Sequence, residues 1–450
     1  MTRPEALVAP EALVDPVCGV IRRIVPYPRL DGMPDAYRCL IAEVSDTRRI
    51  GVWLADQVAA GTSFGDEESA RQAAVGEAVE RYCGNNIPSD LRRASVAELT
   101  RQGVRYLGPR DLPGFTPEQY GRAAFPYRPW AEDEEILWAE GVELDAAGSG
   151  TGDGGMRGVP CLVPGSWTYL NWHQGPRRRE PRHHHLNYAG VACGVGLADA
   201  ARRALLEVVE RDAVTLWWGL DLPARGIRVD SVPGLREAWA GSRLELSLVE
   251  VPGGQGVPVI AALAYDPEHR IAAAGFACRP DPAEACHKAA MEAVQVWIAS
   301  RGLLAEDGAA FEAMKRGVLA RHAYLPWRAD RRYLDEAGED FAAVRDLAAQ
   351  AQVWLDERMH PMLRRFTRPA AGTVDAGEIP AGADPFAALS GHRIVVVDLT
   401  TRDIAETPLR VARVAVSGLL PNSPAAYPYL ASPRWTRPLP EITLAPPPHL

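Results

Sequence analysis

Asp199-Ala-Ala-Arg-Arg-Ala-Leu-Leu-Glu207-Val-Val-Glu210-Arg211-Asp-Ala-Val-Thr-Leu-Trp217-Trp218 is the stretch from which the rest of the chain can be read. Ala200, Leu205, Val208 and Val209 recur at helical spacing among charges, so the stretch predicts an amphipathic helix. Glu207 and Glu210 stand three apart and Arg211 four after the first, which puts all three on one face. The ordinary explanation of that spacing is a solvated Glu–Arg pair. Recurrence weighs against it: Ala70-Arg-Gln-Ala-Ala-Val-Gly-Glu77-Ala-Val-Glu80-Arg81-Tyr82 carries the same Glu-x-x-Glu-Arg. A third stretch, Pro282-Ala-Glu-Ala-Cys-His-Lys288-Ala-Ala-Met-Glu292-Ala-Val-Gln295, echoes it more faintly. Similar helices lined by small residues and presenting acids read as facing halves of one charged site.

The bulk properties bound what such a site can serve. The chain has 450 residues, enough for one large domain or two to three ordinary ones. It is 47% hydrophobic and 24% charged, so a substantial core is expected. A formal charge of −9 argues against a nonspecific nucleic-acid binder, which needs a basic face. Seven dispersed cysteines with no Cys-x-x-Cys read as reduced, mostly buried thiols. No apolar run is long enough to span a membrane, and the start of the chain leads into no signal-like apolar segment. The expectation is a soluble cytoplasmic protein.

In chain order, 19–25 and 38–44 read as strands, with a further one from Ile50 to Leu54. Residues 59–66 read as a glycine-bearing turn feeding the first Glu-x-x-Glu-Arg helix, whose start Asp66, Glu67 and Glu68 suit as caps. Glu132-Asp-Glu-Glu reads as solvated. Gly150, Gly152 and Gly155 match G-x-G-x-x-G, but extended sequence follows where a dinucleotide site needs a helix, so 148–155 is read as a flexible hairpin loop. There is no G-x-x-x-x-G-K-[ST], so any nucleotide is held by another route. Arg177 to His185 reads as a surface loop, because consecutive histidines cannot all face one metal. Strands follow at 243–251, 257–265 and 271–278, and 305–365 reads as helical. A Gly/Ala/Pro linker at 369–391, a buried strand ending in polar residues over 393–403, a last strand at 409–418, and an extended proline-rich tail from Trp435 complete the chain.

Four glutamates with arginines beside them fit Mg²⁺ chemistry best. Mg²⁺ takes a few carboxylates and fills its remaining positions with phosphate and water, while arginine offsets phosphate charge. Paired carboxylates could instead serve glycosidase acid/base chemistry, but that scheme needs only two and leaves the arginines without a role.

These residues carry a resemblance. Gly76-Glu77-Ala-Val-Glu80-Arg81-Tyr82, with Gly190-Val-Ala-Cys-Gly194 through Glu207-Val-Val-Glu210-Arg211-Asp212-Ala213, resembles the YcaO superfamily. Ala289-Ala-Met-Glu292-Ala-Val-Gln295 and Val396-Val-Asp398-Leu-Thr-Thr-Arg-Asp403 are similar to its later landmarks, so the resemblance runs from about residue 56 to the C-terminus. It implies an α/β (α+β) fold of mixed and antiparallel sheets, with helices carrying a shared ATP/Mg²⁺ site. The implied division is a strand-containing lead-in (1–55), a catalytic domain (56–435) and a tail (436–450). Carried over residue by residue, Glu77, Glu80, Glu207 and Glu210 would bind Mg²⁺, and Arg81 and Arg211 would contact phosphate. Asp199 would be an acidic nucleotide contact and Lys288 a basic one. Catalysis would rest on Glu77, Glu80, Glu207, Glu210 and Arg211.

The activity the resemblance implies is ATP-dependent activation of a peptide backbone amide. In azoline-forming members a Cys, Ser or Thr side chain attacks the preceding carbonyl, the oxyanion is phosphorylated, and loss of phosphate leaves a thiazoline or oxazoline. The proline-rich tail and the Trp217-Trp218 context resemble that subgroup, whose tails reach toward the active site, although Pro446-Pro-Pro-His-Leu departs from the usual alternation. A second departure is Gly61-Thr-Ser-Phe-Gly65, where many relatives carry Gly-Lys-Gly. About 55 residues precede the similar region, too few for a fused leader-binding domain. A ribosomally made precursor peptide and a separate E1-like or leader-binding protein are therefore the expected partners, with a homodimer allowed. Thioamide or amidine formation is the alternative within enzymes, and a non-catalytic peptide- or partner-binding subunit the alternative of another class.

Overall fold

The computed structural model describes residues 8–50, 57–144, 156–316, 319–320 and 322–449. The chain forms two compact units, one of residues 1–28, 38–208 and 385–419, the other of 29–37, 209–384 and 420–450. Each contains antiparallel sheet and one or more long helices, an α+β architecture.

The first unit holds two sheets. One is a three-stranded sheet of β1 (Ile21–Pro26), β2 (Tyr37–Val44) and β3 (Val58–Phe64). The other orders β4 (Arg92–Ala94), β5 (Ile136–Leu144), β13 (Ile394–Asp398), β14 (Leu409–Val416) and β7 (Val191–Val195), with β6 (Gly158–Pro164) also paired to β5. Helix α1 (Glu67–Asn85) packs on β3 of the first sheet and on β7 and β14 of the second. The stretch 59–66, expected to be a turn, is mostly β3: its alternating burial gives it an inner face, and the turn is confined to Gly65 and Asp66. The reason is Gly61, where a Cβ would stand 2.0 Å from the Ala70 carbonyl oxygen and 2.1 Å from the Ala74 amide nitrogen. The glycine that reads as turn punctuation lets strand and helix backbones touch.

The second unit orders β11 (Ile271–Cys278), β10 (Val259–Asp266), β9 (Glu245–Val251), β8 (Arg225–Ile227) and β12 (Thr373–Val374). Only β12 runs parallel to its neighbour among these pairings. Every residue of β11 is buried, because α3 (Pro282–Arg301) covers it. Asp281 caps α3 through the Ala283 N–H and Pro282 opens it, the arrangement that best supplies a helix start. Ala285, Ala289 and Ala293 form its inner face, and a Cβ on Gly275 would come 2.3 Å from both the Ala289 oxygen and the Ala293 nitrogen. The two units thus use the same device, an alanine stripe seated on a strand glycine. Gly275→Ala is expected to destabilise the fold by about 3 kcal/mol, since backbone rather than a flexible side chain must yield. Denaturant unfolding checks this, and an unchanged midpoint contradicts it.

Helix α2 (Leu197–Leu220) is continuous; residues up to Val208 belong to the first unit and those from Val209 to the second. Other expectations change. The helical reading of 305–365 resolves into short pieces, the longest Ala309–Lys315 and the 3-10 segment Glu357–Leu363. Gly338, Asp340 and Phe341 at positive φ break it in the middle and Pro361 lies inside the later segment. The 369–391 linker contains β12 and a helical turn, Pro385–Ala388. The histidine loop is not on the surface at its centre: His183 and His184 are buried, the first stacked 4.9 Å from Trp130 and the second bonded to Ser166 at 3.0 Å. Burial pushes their imidazoles down, to about 4 and about 3, so both are neutral packing groups. The strand expected over 50–54 and the glycine loop at 148–155 lie outside the described residues, save that Ile50 closes a 3-10 turn, Thr47–Ile50. Among the described residues no helix is long and apolar enough to cross a membrane.

Candidate functional site

In the first unit the Asp66 side chain caps α1 by accepting the Glu68 N–H, which fixes the helix that delivers Glu77, Glu80 and Arg81. Arg81 Nη2 lies 2.5 Å from Glu77 Oε1, and Nη1 lies 3.6 Å from Glu80 Oε1. Its guanidinium also sits 5.0 Å over the Tyr188 ring, a cation–π contact that holds it flat. The residue after it, Tyr82, donates to Asp403 Oδ2 at 2.8 Å, tying α1 to the loop beyond β13. Glu207 arrives from α2, and its Oε2 accepts the Gly190 N–H at 3.0 Å.

Sequence reasoning missed Arg413. It is wholly buried on β14 and donates to the carbonyls of Thr168, Asn187 and Ala189. Burial pulls its guanidinium down to about 9, against the attraction of Glu207 and Glu80. Burial likewise drives the Glu80 carboxyl well above its ordinary value, helped by Glu77 and Glu207 and opposed by Arg81 and Arg413. Three carboxylates, Glu77, Glu80 and Glu207, thus gather beside two guanidiniums, Arg81 and Arg413, a donor set that suits a divalent cation. The signal for Arg413 was weak: an arginine alternating with apolar residues in a strand reads as solvent-facing.

Asp199 has a different setting. Its Oδ2 accepts the Val195 N–H and the Arg203 Nε, each at 3.0 Å, which ties down the start of α2. It lies two turns, about 12 Å, upstream of Glu207 along the helix.

In the second unit Glu210 is buried and accepts the Cys278 N–H at 3.0 Å. Arg211 stands with Nε 3.5 Å from Glu210 Oε1 and Nη2 3.9 Å from Glu292 Oε1. Burial raises Glu210 against the pull of Arg211. Burial would also raise Glu292, but a 2.5 Å bond from His449, with the charges of Arg211 and Lys288, holds it down to about 2. Lys288 is half-buried one turn before Glu292 on α3. The tail is not a loose extension. Its prolines lack N–H groups, so it docks through its carbonyls: Trp218 donates to Ala445, Trp354 to Pro446 and the Ala274 amide to Pro448. Glu292 and His449 were the residues least visible beforehand, since one sits in a faint repeat and the other in a proline run.

The donor chemistry suits Mg²⁺ and a polyphosphate. Carboxylate oxygens are the hard ligands Mg²⁺ takes, and guanidinium groups pair with phosphate. Among the described residues no group of three or more His, Cys, Asp or Glu forms a protein-only metal cage, and an ion completed by phosphate and water needs none. Glu77, Glu80, Arg81 and Glu207 are brought together in the first unit; Glu210, Arg211 and Lys288 lie in the second, with Glu292 and His449.

Comparison with known proteins points the same way. A family model described as YcaO cyclodehydratase, ATP- and Mg²⁺-binding, matches residues 63–420. A protein encoded in the tfuA 3′ region of Rhizobium leguminosarum bv. trifolii, itself uncharacterized, is 26% identical over 372 residues, covering 79% of this chain and 75% of its own. Three solved structures share the fold. A heterocyclase in complex with substrate and cofactor has a TM-score of 0.62 at 20% identity, covering 92% of this chain and 52% of that one. The heterocyclase TruD has 0.53 at 19%, covering 85% and 51%. YcaO from Methanopyrus kandleri, bound with AMPPCP and Mg²⁺, has 0.51 at 19%, covering 90% of each chain. This chain spans about half the length of the two heterocyclase chains.

Proposed function

Since this chain belongs to the YcaO family, whose members bind ATP and Mg²⁺, we propose that it cyclodehydrates Cys, Ser or Thr residues of a ribosomally made precursor peptide to thiazolines or oxazolines. In this reading it is a cytoplasmic enzyme of peptide natural-product biosynthesis that receives its substrate with a separate E1-like or leader-binding protein. ATP with Mg²⁺ supplies the phosphoryl group that makes an amide oxygen a good leaving group. The chain's own residues hold and orient. Glu77, Glu80 and Glu207 provide metal oxygens, with Glu210 as a further ligand, and Arg81 and Arg211 offset phosphate charge as it shifts during transfer. Lys288 adds a cation near the nucleotide, and Asp199 an acidic contact, secured by its place at the start of α2.

The observation that carries this reading is the convergence around Glu80 of three carboxylates from two helices, Glu77, Glu80 and Glu207, beside Arg81 and the buried Arg413. The test is the mass of candidate precursor peptides after incubation with the protein, its genomic neighbours, ATP and Mg²⁺. Loss of one water per modified residue is expected. Exchange of oxygen for sulfur moves the assignment to thioamide formation, and an unchanged mass contradicts the proposal.

A further inference from the structure

We propose that the arginines at 177–182 form a docking surface for an acidic stretch of the precursor peptide, an inference that rests on the peptide-modifying reading above. Gly175–Arg179 is a 3-10 turn with Pro176 at its start, and Pro181 follows close behind, so the backbone is restricted on both sides. The turn carries Arg177, Arg178 and Arg179, and Arg182 stands just beyond it. Arg178, Arg179 and Arg182 are exposed. Among the described residues none of the four forms an ion pair, although the chain as a whole is acidic, at −9. The acids at this loop are already engaged. Glu180, within the run, accepts Arg93 from β4, and Glu134, which reaches the loop at His183, accepts Arg128. Asp90 and Arg177 both act on Tyr169, yet Asp90 pairs with none of the four. Arg177 lies 5.3 Å over the ring of the buried Trp172, a cation–π contact that holds its guanidinium without neutralising it.

Guanidinium groups match carboxylates in bidentate geometry, and a five-residue 3-10 turn is about 10 Å long, the span of about three extended peptide residues. That fits a short acidic stretch. A nucleic acid wants a longer basic track with exposed rings for stacking, whereas Tyr169 and Trp172 are buried. The course of the chain favours the precursor peptide over its carrier as the source. All of these residues belong to the first unit, and the loop runs from Arg182 directly to Tyr188, whose ring lies 5.0 Å from the Arg81 guanidinium. Gly190, two residues on, bonds Glu207. At most about 22 Å of backbone separates Arg182 from Tyr188. A peptide reacting beside Glu80 and Arg81 therefore reaches the arginines with about seven further extended residues.

The test uses the full chain without ATP and follows the fluorescence anisotropy of a fluorescein-labelled hexaglutamate peptide, with hexaglutamine as the uncharged control. Hexaglutamate is expected to bind, more weakly as salt rises, and hexaglutamine not to bind. The triple variant Arg178→Gln/Arg179→Gln/Arg182→Gln is expected to bind hexaglutamate about tenfold more weakly at an unchanged melting point, since all three side chains are exposed. Hexaglutamate should also displace the candidate precursor peptide from the unsubstituted protein. Equal binding by the triple variant, or none by the unsubstituted protein, would show solvated charge and overturn the inference. An oligoribonucleotide that binds the same arginines more tightly would overturn it too, as would hexaglutamate that displaces the E1-like or leader-binding protein but not the peptide. Neither measurement involves turnover, so failure of the cyclodehydratase reading shows separately, in the mass of the peptide.

Discussion

Glu207→Gln is expected to lower kcat/KM for ATP-dependent peptide modification by about 10³ while leaving the fold intact. The substitution keeps the size of the side chain and its oxygen acceptor, so the Gly190 N–H, now 3.0 Å from Oε2, retains its partner. What disappears is one negative charge. Loss of a single preorganised electrostatic group at a transferring centre typically costs about 10²–10³, and a metal ligand falls at the upper end. The neighbouring Glu80 carboxyl, raised partly by Glu207, should ionise more easily in the variant, which adds nothing back because the cation's site has lost a ligand. Steady-state kinetics with circular dichroism as the folding control decide it. Unchanged turnover would place catalysis elsewhere and favour a binding subunit.

Arg413→Met is expected to cost about 3–5 kcal/mol, the largest stability loss among substitutions near the site. Methionine matches the length of the arginine stem but not its donors, so the carbonyls of Thr168, Asn187 and Ala189 lose a buried partner together. Glu80 and Glu207 lose an offsetting charge in the same step. At roughly 2–4 °C per kcal/mol, the unfolding transition involving the first unit should move down by about 10 °C. Added Mg²⁺ should recover part of that shift, since a cation replaces some of the missing charge. Calorimetry with and without Mg²⁺ checks both parts, and a transition unmoved by the substitution contradicts the assignment.

Much of the architecture was legible because it depends on local pattern. The Glu-x-x-Glu-Arg helices, their acidic starts and the buried strands at 257–278 are set by periodicity and capping, which a single sequence displays. What escaped depends on contacts distant in sequence. Gly61 reads as a turn until Ala70 and Ala74 are laid against it, and a glycine in a strand carries no local mark of a helix backbone overhead. Arg413 has the alternation of a solvent-facing residue, and only the loop at 168–189 turns its environment inward. His183 and His184 look like surface charge because their run is rich in arginine, whereas Trp130 and Ser166 make them core. Around 340 the alanine-rich sequence has real helical propensity, overridden by residues that adopt positive φ.

The account stands most directly on whether ATP is consumed in step with peptide chemistry. Phosphate release should be followed with ATP, Mg²⁺, the candidate precursor peptide and its E1-like or leader-binding protein in one vessel, with the peptide mass read from the same samples. The expected result is Mg²⁺-dependent release that rises on adding peptide and equals, one for one, the waters lost. Peptide dehydration without phosphate release, or ATP bound with neither turnover nor mass change when every component is present, would contradict it.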